Sequence, residues 1–258
     1  MIFLDGHGHV AGVALALALG ACATTSTTAT HAPSTQAAIV DETPATTYLG
    51  PSALDATQIL AGPPALDSPR AAADLAGVRE QQALKDTPRW ALAQSDAVDP
   101  LLVAFAPALG VSRAALDSRN LPKTEALIDV LVKDSRIVTV PAKKAFARKR
   151  PPLVDDKLVP CVQLETTGSY PSGHSTRGFL TALVLAEMVP DKANAILARG
   201  RDFGDSRVIC AEHFPSDVDA GRIVAAAVVA AAHADAKFER DLAAARVELR
   251  AALRRATP

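Results

Sequence analysis

The sequence predicts an all-α fold built as a single helical domain, and three observations carry that prediction. Hydrophobic residues make up 49% of the chain but aromatics only 4%, and alanine is abundant, so the core is expected to be Ala, Leu and Val packed on helices. Apolar residues recur at helical spacing, as at Ala126, Leu127, Val130 and Leu131. No alternating apolar–polar series and no internal repeat interrupts that pattern. A chain of 258 residues is long enough to bury one core.

The first 23 residues read as an export signal rather than as part of the fold. "VAGVALALALGACATT" is a short apolar run followed by small residues, the pattern of a secretory leader, although the only charge ahead of it is Asp5. "LGAC" ending at Cys22 matches a lipobox, which would make Cys22 a lipid anchor. "ACA" (Ala21 to Ala23) fits ordinary cleavage equally well. The expected location is the periplasm or the exterior, with or without a membrane tether. Residues 24–47 are rich in Thr, Ala and Pro and read as a disordered linker. The helical domain is expected over 48–258.

Within it, "DSPRAAADLAGVREQQALKD" (67–86) offers Ser68 as N-cap and Pro69 in the first turn, and "TPRWALAQSDAV" (87–98) repeats the device with Thr87 and Pro88. "LPKTEALIDVLVKDSRIV" (121–138) is a helix by its spacing. Its end is ambiguous, because "RIVTV" (136–140) alone suits a short strand and Pro141 would kink a continuing helix. Further helices are expected at 174–189, about 192–212, 216–235 and 236–255. The most apolar stretches, 178–190 and 223–234, fall short of a membrane span and read as buried core helices. Net charge is −1, so capture of nucleic acid by a global field is not expected, and any electrostatic binding must be local. Export would leave Cys161 and Cys210 as an even pair in an oxidising compartment. That favours a disulfide over two buried thiols.

Three stretches carry chemistry. "KKAFARKRPP" (143–152) packs five basic residues into eight positions, which in isolation is a solvated basic face. Arg150 is held extended by the following proline, and Lys143 lies about two helical turns earlier, so on one helix the two cations would share a face and suit an oxyanion. "GSYPSGHSTRGF" (168–179) places Ser172 and the N–H groups of Gly173 and His174 at a helix start, a ready anion site, with His174 placed to donate a proton; a plain serine cap beside a surface histidine is the alternative. In "GDSRVICAEHFPSDVDAGR" (204–222), His213 and Asp217 are four apart with Pro215 between them and Ser216 available to cap the next helix. Metal binding would need more ligands than Cys210 can supply. The carboxylate more naturally accepts from His213 Nδ1–H and leaves Nε2 as a nucleophile, with Arg207 nearby to hold a phosphate.

Taken together, these stretches resemble the signature of the phosphatidic-acid-phosphatase type 2 and vanadium-haloperoxidase superfamily, K-x6-R-P, P-S-G-H and S-R-x5-H-x3-D, with every spacing kept. "GSYPSGH" and "SRVICAEHFPSDVDAGR" are similar in particular to the bacterial class A non-specific acid phosphatases, a likeness that runs from about residue 48 to the C-terminal helix. Pro152, Phe214 and Pro141 depart from the common pattern beside the site. The resemblance implies an exported, metal-independent acid phosphatase that acts on small phosphomonoesters and needs no cofactor, with phosphate or vanadate able to occupy the site. It implies that His213 forms a phosphohistidine, Asp217 orients it, and His174 protonates the leaving alcohol. Lys143, Arg150, Ser172, Gly173 and Arg207 would bind the phosphoryl oxygens. Cysteines at 161 and 210 and a homo-oligomeric state also follow from it. A vanadium-dependent haloperoxidase, a lipid phosphate phosphatase and a phosphate-binding protein without turnover are the competing readings.

Overall fold

The computed structural model describes residues 47–50 and 53–256; the leader, Cys22 and the linker up to residue 46 lie outside the described residues. The described chain is helical, with no strand among the described residues. Its helices are α1 (Ala56–Ile59), α2 (Pro69–Gln81), α3 (Pro88–Val98), α4 (Ala106–Leu109), α5 (Pro122–Phe146), α6 (Gly173–Met188), α7 (Ala193–Ile209), α8 (Pro215–Ala232) and α9 (Ala236–Ala256). Short 3-10 turns join several of them.

The starts of α2 and α3 follow from local chemistry. Ser68 Oγ accepts from Ala71 N at 3.1 Å and Thr87 Oγ1 from Trp90 N at 3.4 Å, each with a proline in the first turn, where no N–H is needed. The start of α5 lacks such a cap of its own. Glu248 on α9 reaches across instead and accepts from Lys123 N at 3.2 Å and Thr124 N at 2.8 Å.

The segment at 136–140 is helix, not strand. Leu131, Val138 and Ala142 are buried at helical spacing, whereas Ile137 and Val140 face solvent. Tertiary packing of that face against α6, α8 and α9 holds the helix through Pro141, which costs one backbone bond on the exposed side.

Helix α6 is the centre of the domain, packed most extensively on α7 and α8. Leu180, Val184, Leu185 and Met188 are fully buried on it. Close approach to α7 depends on Gly178, where a Cβ would stand 2.2 Å from Phe203 Cδ1. The buried Phe203 ring fills that notch and contributes about 2–3 kcal/mol of apolar burial. Among the described residues, no helix is long and apolar enough to cross a membrane.

Two further ties fix the frame of the domain. Cys161 and Cys210 are disulfide-bonded, with Cα atoms 4.6 Å apart, which pins the loop between α5 and α6 to the end of α7. Asp74 on α2 accepts from Arg148 Nη2 at 2.7 Å and from Ser216 N at 3.1 Å, so α2 clamps the start of α8.

Candidate functional site

Lys143 sits in the last turn of α5, and there the helix stops: Ala147 takes a left-handed conformation (φ 47°) and the chain turns away. Arg150 therefore does not share a helix face with Lys143, as its spacing suggested. It reaches the same place from an extended residue before Pro151 (φ −76°, ψ 156°) because proline disfavours helix at the residue preceding it.

The second stretch starts a helix, as expected. Ser172 is the N-cap of α6, its Oγ accepting from Ser175 N at 3.2 Å. The N–H groups of Gly173 and His174 lead that helix, ahead of any intrahelical acceptor. A Cβ on Gly173 would lie 3.9 Å from Lys143 Cε, so the lysine stem runs beside the helix start.

The third stretch forms a tight turn between two helices. Helix α7 ends at Ile209 and α8 begins at Pro215, so His213 lies in the connecting turn and Asp217 in the first turn of α8. Ser216 does not cap α8, since Phe214 holds that position. Its hydroxyl instead donates to Asp74 and accepts from Arg148 Nη1. The Asp217 carboxylate returns to the helix start, accepting from Phe214 N at 2.8 Å. It also lies 3.5 Å from His213 Nδ1 and accepts from Ser169 Oγ at 2.6 Å. Ser206, the residue before Arg207, donates to Asp96 on α3 at 2.6 Å and so anchors α7 away from the reacting groups.

These elements bring all eight sequence-derived candidates into one linked cluster. Arg150 Nη1 lies 3.4 Å from His213 Nε2 and donates to Glu212 at 2.7 Å. Arg150 Nη2 donates to Glu165 at 2.6 Å, and Glu165 in turn lies 3.4 Å from His174 Nδ1. Arg207 Nη2 is 3.8 Å from Glu212, while its Nε and Nη1 are buried with no hydrogen-bond partner. Lys143 Nζ donates to Gly168 O at 2.6 Å. Ser172 N donates to Asp217 O at 2.9 Å, which locks the α6 start onto the α8 start. Gly221 permits that contact, because a Cβ there would stand 2.6 Å from Ser172 O.

Four further residues escaped the sequence reading. Arg148 looked like part of a solvated basic run, yet its side chain is buried, donating to Asp217 at 2.6 Å and stacked 4.1 Å over the Phe214 ring. Glu165, Ser169 and Glu212 carry no motif signal, because what matters is which buried cation or histidine they meet after folding.

The electrostatics are those of an anion site. Burial first, and then Arg150, lower the Lys143 ammonium to about 8. Burial and then Arg207 lower His174 to about 3, against the pull of Glu165. Burial, reinforced by Lys143, Arg150 and Arg207, drives His213 well below the ordinary histidine range. The hydrogen bond from His174 holds Glu165 below the usual carboxylate range. Cations with idle N–H groups around a neutral histidine can receive a tetrahedral oxyanion, and the helix start adds backbone donors.

Beside Arg148, Ala147 and Phe214 lies a mainly apolar groove of 860 Å³, with Leu66, Leu75 and Val154 among its walls. A second cleft of 600 Å³ shares Ala147, Arg148 and Lys149 with it and reaches Lys143, Arg150 and Glu165.

Comparison with known proteins places this cluster in context. The PAP2 superfamily pattern matches residues 130–241. An acid phosphatase of Zymomonas mobilis subsp. mobilis is 42% identical over 198 residues, covering 74% of this chain and 74% of that protein. A non-specific acid phosphatase of Salmonella typhimurium is 37% identical over 195 residues, 72% of this chain and 77% of that protein. Among solved structures, a bacterial vanadium-dependent iodoperoxidase aligns with a TM-score of 0.50 at 19% identity, over 66% of this chain and 52% of that one; the likeness is one of fold.

Proposed function

Because the chain belongs to the PAP2 superfamily, with acid phosphatases among its relatives, we propose that it is an exported acid phosphatase that hydrolyses small phosphate monoesters by two successive in-line phosphoryl transfers. One observation carries the reading: His213 Nε2 faces the Arg150 guanidinium while its Nδ1 side faces Asp217, with the idle N–H groups of Arg207 in the same buried cluster.

In the first step the Nε2 lone pair of His213 attacks phosphorus, the ester P–O bond breaks, and the leaving oxygen takes a proton from His174. The imidazolium that forms at His213 is stabilised by Asp217. In the second step His174, now neutral, removes a proton from water, whose oxygen displaces Nε2 and releases phosphate. Lys143, Arg150, Arg207, the Ser172 hydroxyl and the Gly173 N–H bind the phosphoryl oxygens, where charge and positioning lower the barrier most. That supply of fixed positive charge supports a mechanism without a metal ion. Vanadate, a phosphate-like anion, suits the same seat.

His174 must carry a proton while His213 does not. A phosphate dianion among these cations offsets their repulsion and raises His174, so the rate is bell-shaped in pH and its apparent values belong to the pair. The apolar leader pattern and the Cys161–Cys210 pair support export.

The test is turnover of p-nitrophenyl phosphate by wild type and His213→Ala, with and without EDTA, together with trapping of labelled phosphate on the protein in an alkaline denaturing quench. Expected are activity indifferent to chelator, an acid-labile phosphoprotein in wild type, and neither turnover nor label in the variant. Unchanged turnover in His213→Ala sinks the mechanism. Halide oxidation with vanadate exceeding phosphatase turnover would reverse the assignment.

A further inference from the structure

We infer that Glu212 is a built-in competitor for the phosphate seat: its carboxylate holds the Arg150–Arg207 pair that an incoming phosphoryl group takes, and so weakens anion binding at neutral pH. The inference deepens the proposed function and rests on that reading of the site.

Glu212 lies in the turn between α7 and α8, where Ala211 adopts a left-handed conformation (φ 53°) and Glu212 N and His213 N both donate to Arg207 O, at 2.9 and 3.2 Å. That turn leaves the side chain no course to solvent, and the residue is fully buried. Its Oε2 accepts from Arg150 Nη1 at 2.7 Å and stands 3.8 Å from Arg207 Nη2. Its Oε1 makes no hydrogen bond of ordinary geometry, the Glu165 backbone N–H being a further donor toward the carboxylate, and Nε and Nη1 of Arg207 have no partner.

A buried ion pair that serves structure alone closes as a two-pronged fork, because each idle buried donor or acceptor is costly. Here a carboxylate oxygen and two guanidinium nitrogens are left idle within one cluster. A tetrahedral anion bonded to Arg207 would satisfy one of those nitrogens, and it would meet the negative charge of Glu212 on the way in.

The charged groups facing Glu212 are Arg207 from α7, Arg150 and Glu165 from the loop between α5 and α6, and Lys143 from α5. Burial pushes the Glu212 carboxyl up, against the opposing pull of Arg207 and Arg150, so it takes a proton at higher pH than an exposed glutamate does. Once protonated it no longer repels phosphate. It then becomes a donor that can bond a phosphoryl oxygen. Substrate binding is thereby coupled to acid conditions by a group distinct from the two histidines.

The experiment is calorimetric titration of the full chain with inorganic phosphate, wild type against Glu212→Gln, at about pH 5 and about pH 7.5. Removing one like charge at contact distance is expected to tighten phosphate binding about tenfold or more at the higher pH. The advantage should be smaller at the lower pH, where a larger share of Glu212 is protonated. With p-nitrophenyl phosphate, KM should fall at the higher pH while kcat stays within about twofold, the signature of a ground-state binding effect.

Unchanged or weaker phosphate binding in Glu212→Gln at both pH values would overturn the inference and assign the residue to holding Arg150. Glu212→Ala is the second variant. If neither variant folds, the carboxylate is structural and the inference is likewise overturned. The two readings separate cleanly. Phosphate binding that depends on Glu212 without any turnover refutes the proposed enzyme and keeps this inference. Normal turnover with unchanged phosphate binding does the reverse.

Discussion

The Nη1 atom of Arg150 lies 3.4 Å from Nε2 of His213, and a guanidinium can only donate. The imidazole must therefore present a lone pair on Nε2 and carry its hydrogen on Nδ1, the side that faces Asp217 at 3.5 Å. One arginine thus sets the tautomer that a nucleophilic histidine needs, while burial keeps the ring neutral. Ser169 adds a hydroxyl 3.3 Å from the same Nδ1 and hands its own proton to Asp217.

Asp217→Asn should separate orientation from charge. An amide keeps one acceptor oxygen, so it can serve either the Oδ2 position, which accepts from Ser169 and Phe214 N and faces His213 Nδ1, or the Oδ1 position, which accepts from Arg148, but not both. We expect kcat to fall about 10²- to 10⁴-fold with KM little changed, as for loss of a group that acts through the nucleophile. Steady-state kinetics on the folded variant check this, and a kcat within twofold of wild type would refute the role.

Arg150 and Arg207 should differ sharply in what they do for stability. Arg150 satisfies Glu165, Glu212 and the Thr167 carbonyl, so Arg150→Met strands two carboxylates and should cost about 3–5 kcal/mol along with activity. Arg207 is buried with two unpartnered nitrogens. Arg207→Met should raise the melting temperature while activity drops about 10²-fold or more. Thermal unfolding of both variants tests the contrast; equal destabilisation would mean that Arg207 is a structural ion-pair member.

Stability should decline in acid. His174 is held at about 3 against 6.5 for an ordinary histidine, so between those values the unfolded chain binds more protons than the folded one. Folding stability therefore falls as the pH drops through that interval. The low-lying Glu165 adds to the loss below 4.5. Phosphate or vanadate raises His174 and should offset the decline, by about 2.7 kcal/mol at a hundredfold excess over its Kd. Melting curves from neutral to acid pH with and without phosphate measure both effects.

Gly221→Ala probes the lock between helices rather than the chemistry. The new methyl would meet Ser172 O at 2.6 Å and Ser175 Cβ at 2.9 Å, forcing α8 away from the start of α6. We expect about 1–3 kcal/mol of destabilisation and a loss of activity larger than the stability change explains, since Gly173 and His174 move relative to His213. Gly50→Ala, whose methyl would meet nothing within 4 Å, is the control that should leave activity near wild type.

The helical class, the caps at Ser68, Thr87 and Ser172, and the eight residues of the cluster were all legible in the linear chain. Each of these is a local signal: a hydroxyl three residues before an N–H, an apolar period, or a motif whose spacing survives in the linear chain. The course of the chain at 136–150 was decided only by tertiary structure. Packing against α6, α8 and α9 carried α5 through Pro141, and the left-handed turn at Ala147 then sent Arg150 into the site from a loop. The burial of Arg148 and the capture of Arg150 by Glu165 and Glu212 were likewise invisible in sequence. The meaning of a charged residue lies in its partner, and these partners lie 15 to 74 positions away, brought within bonding distance only when the helices pack.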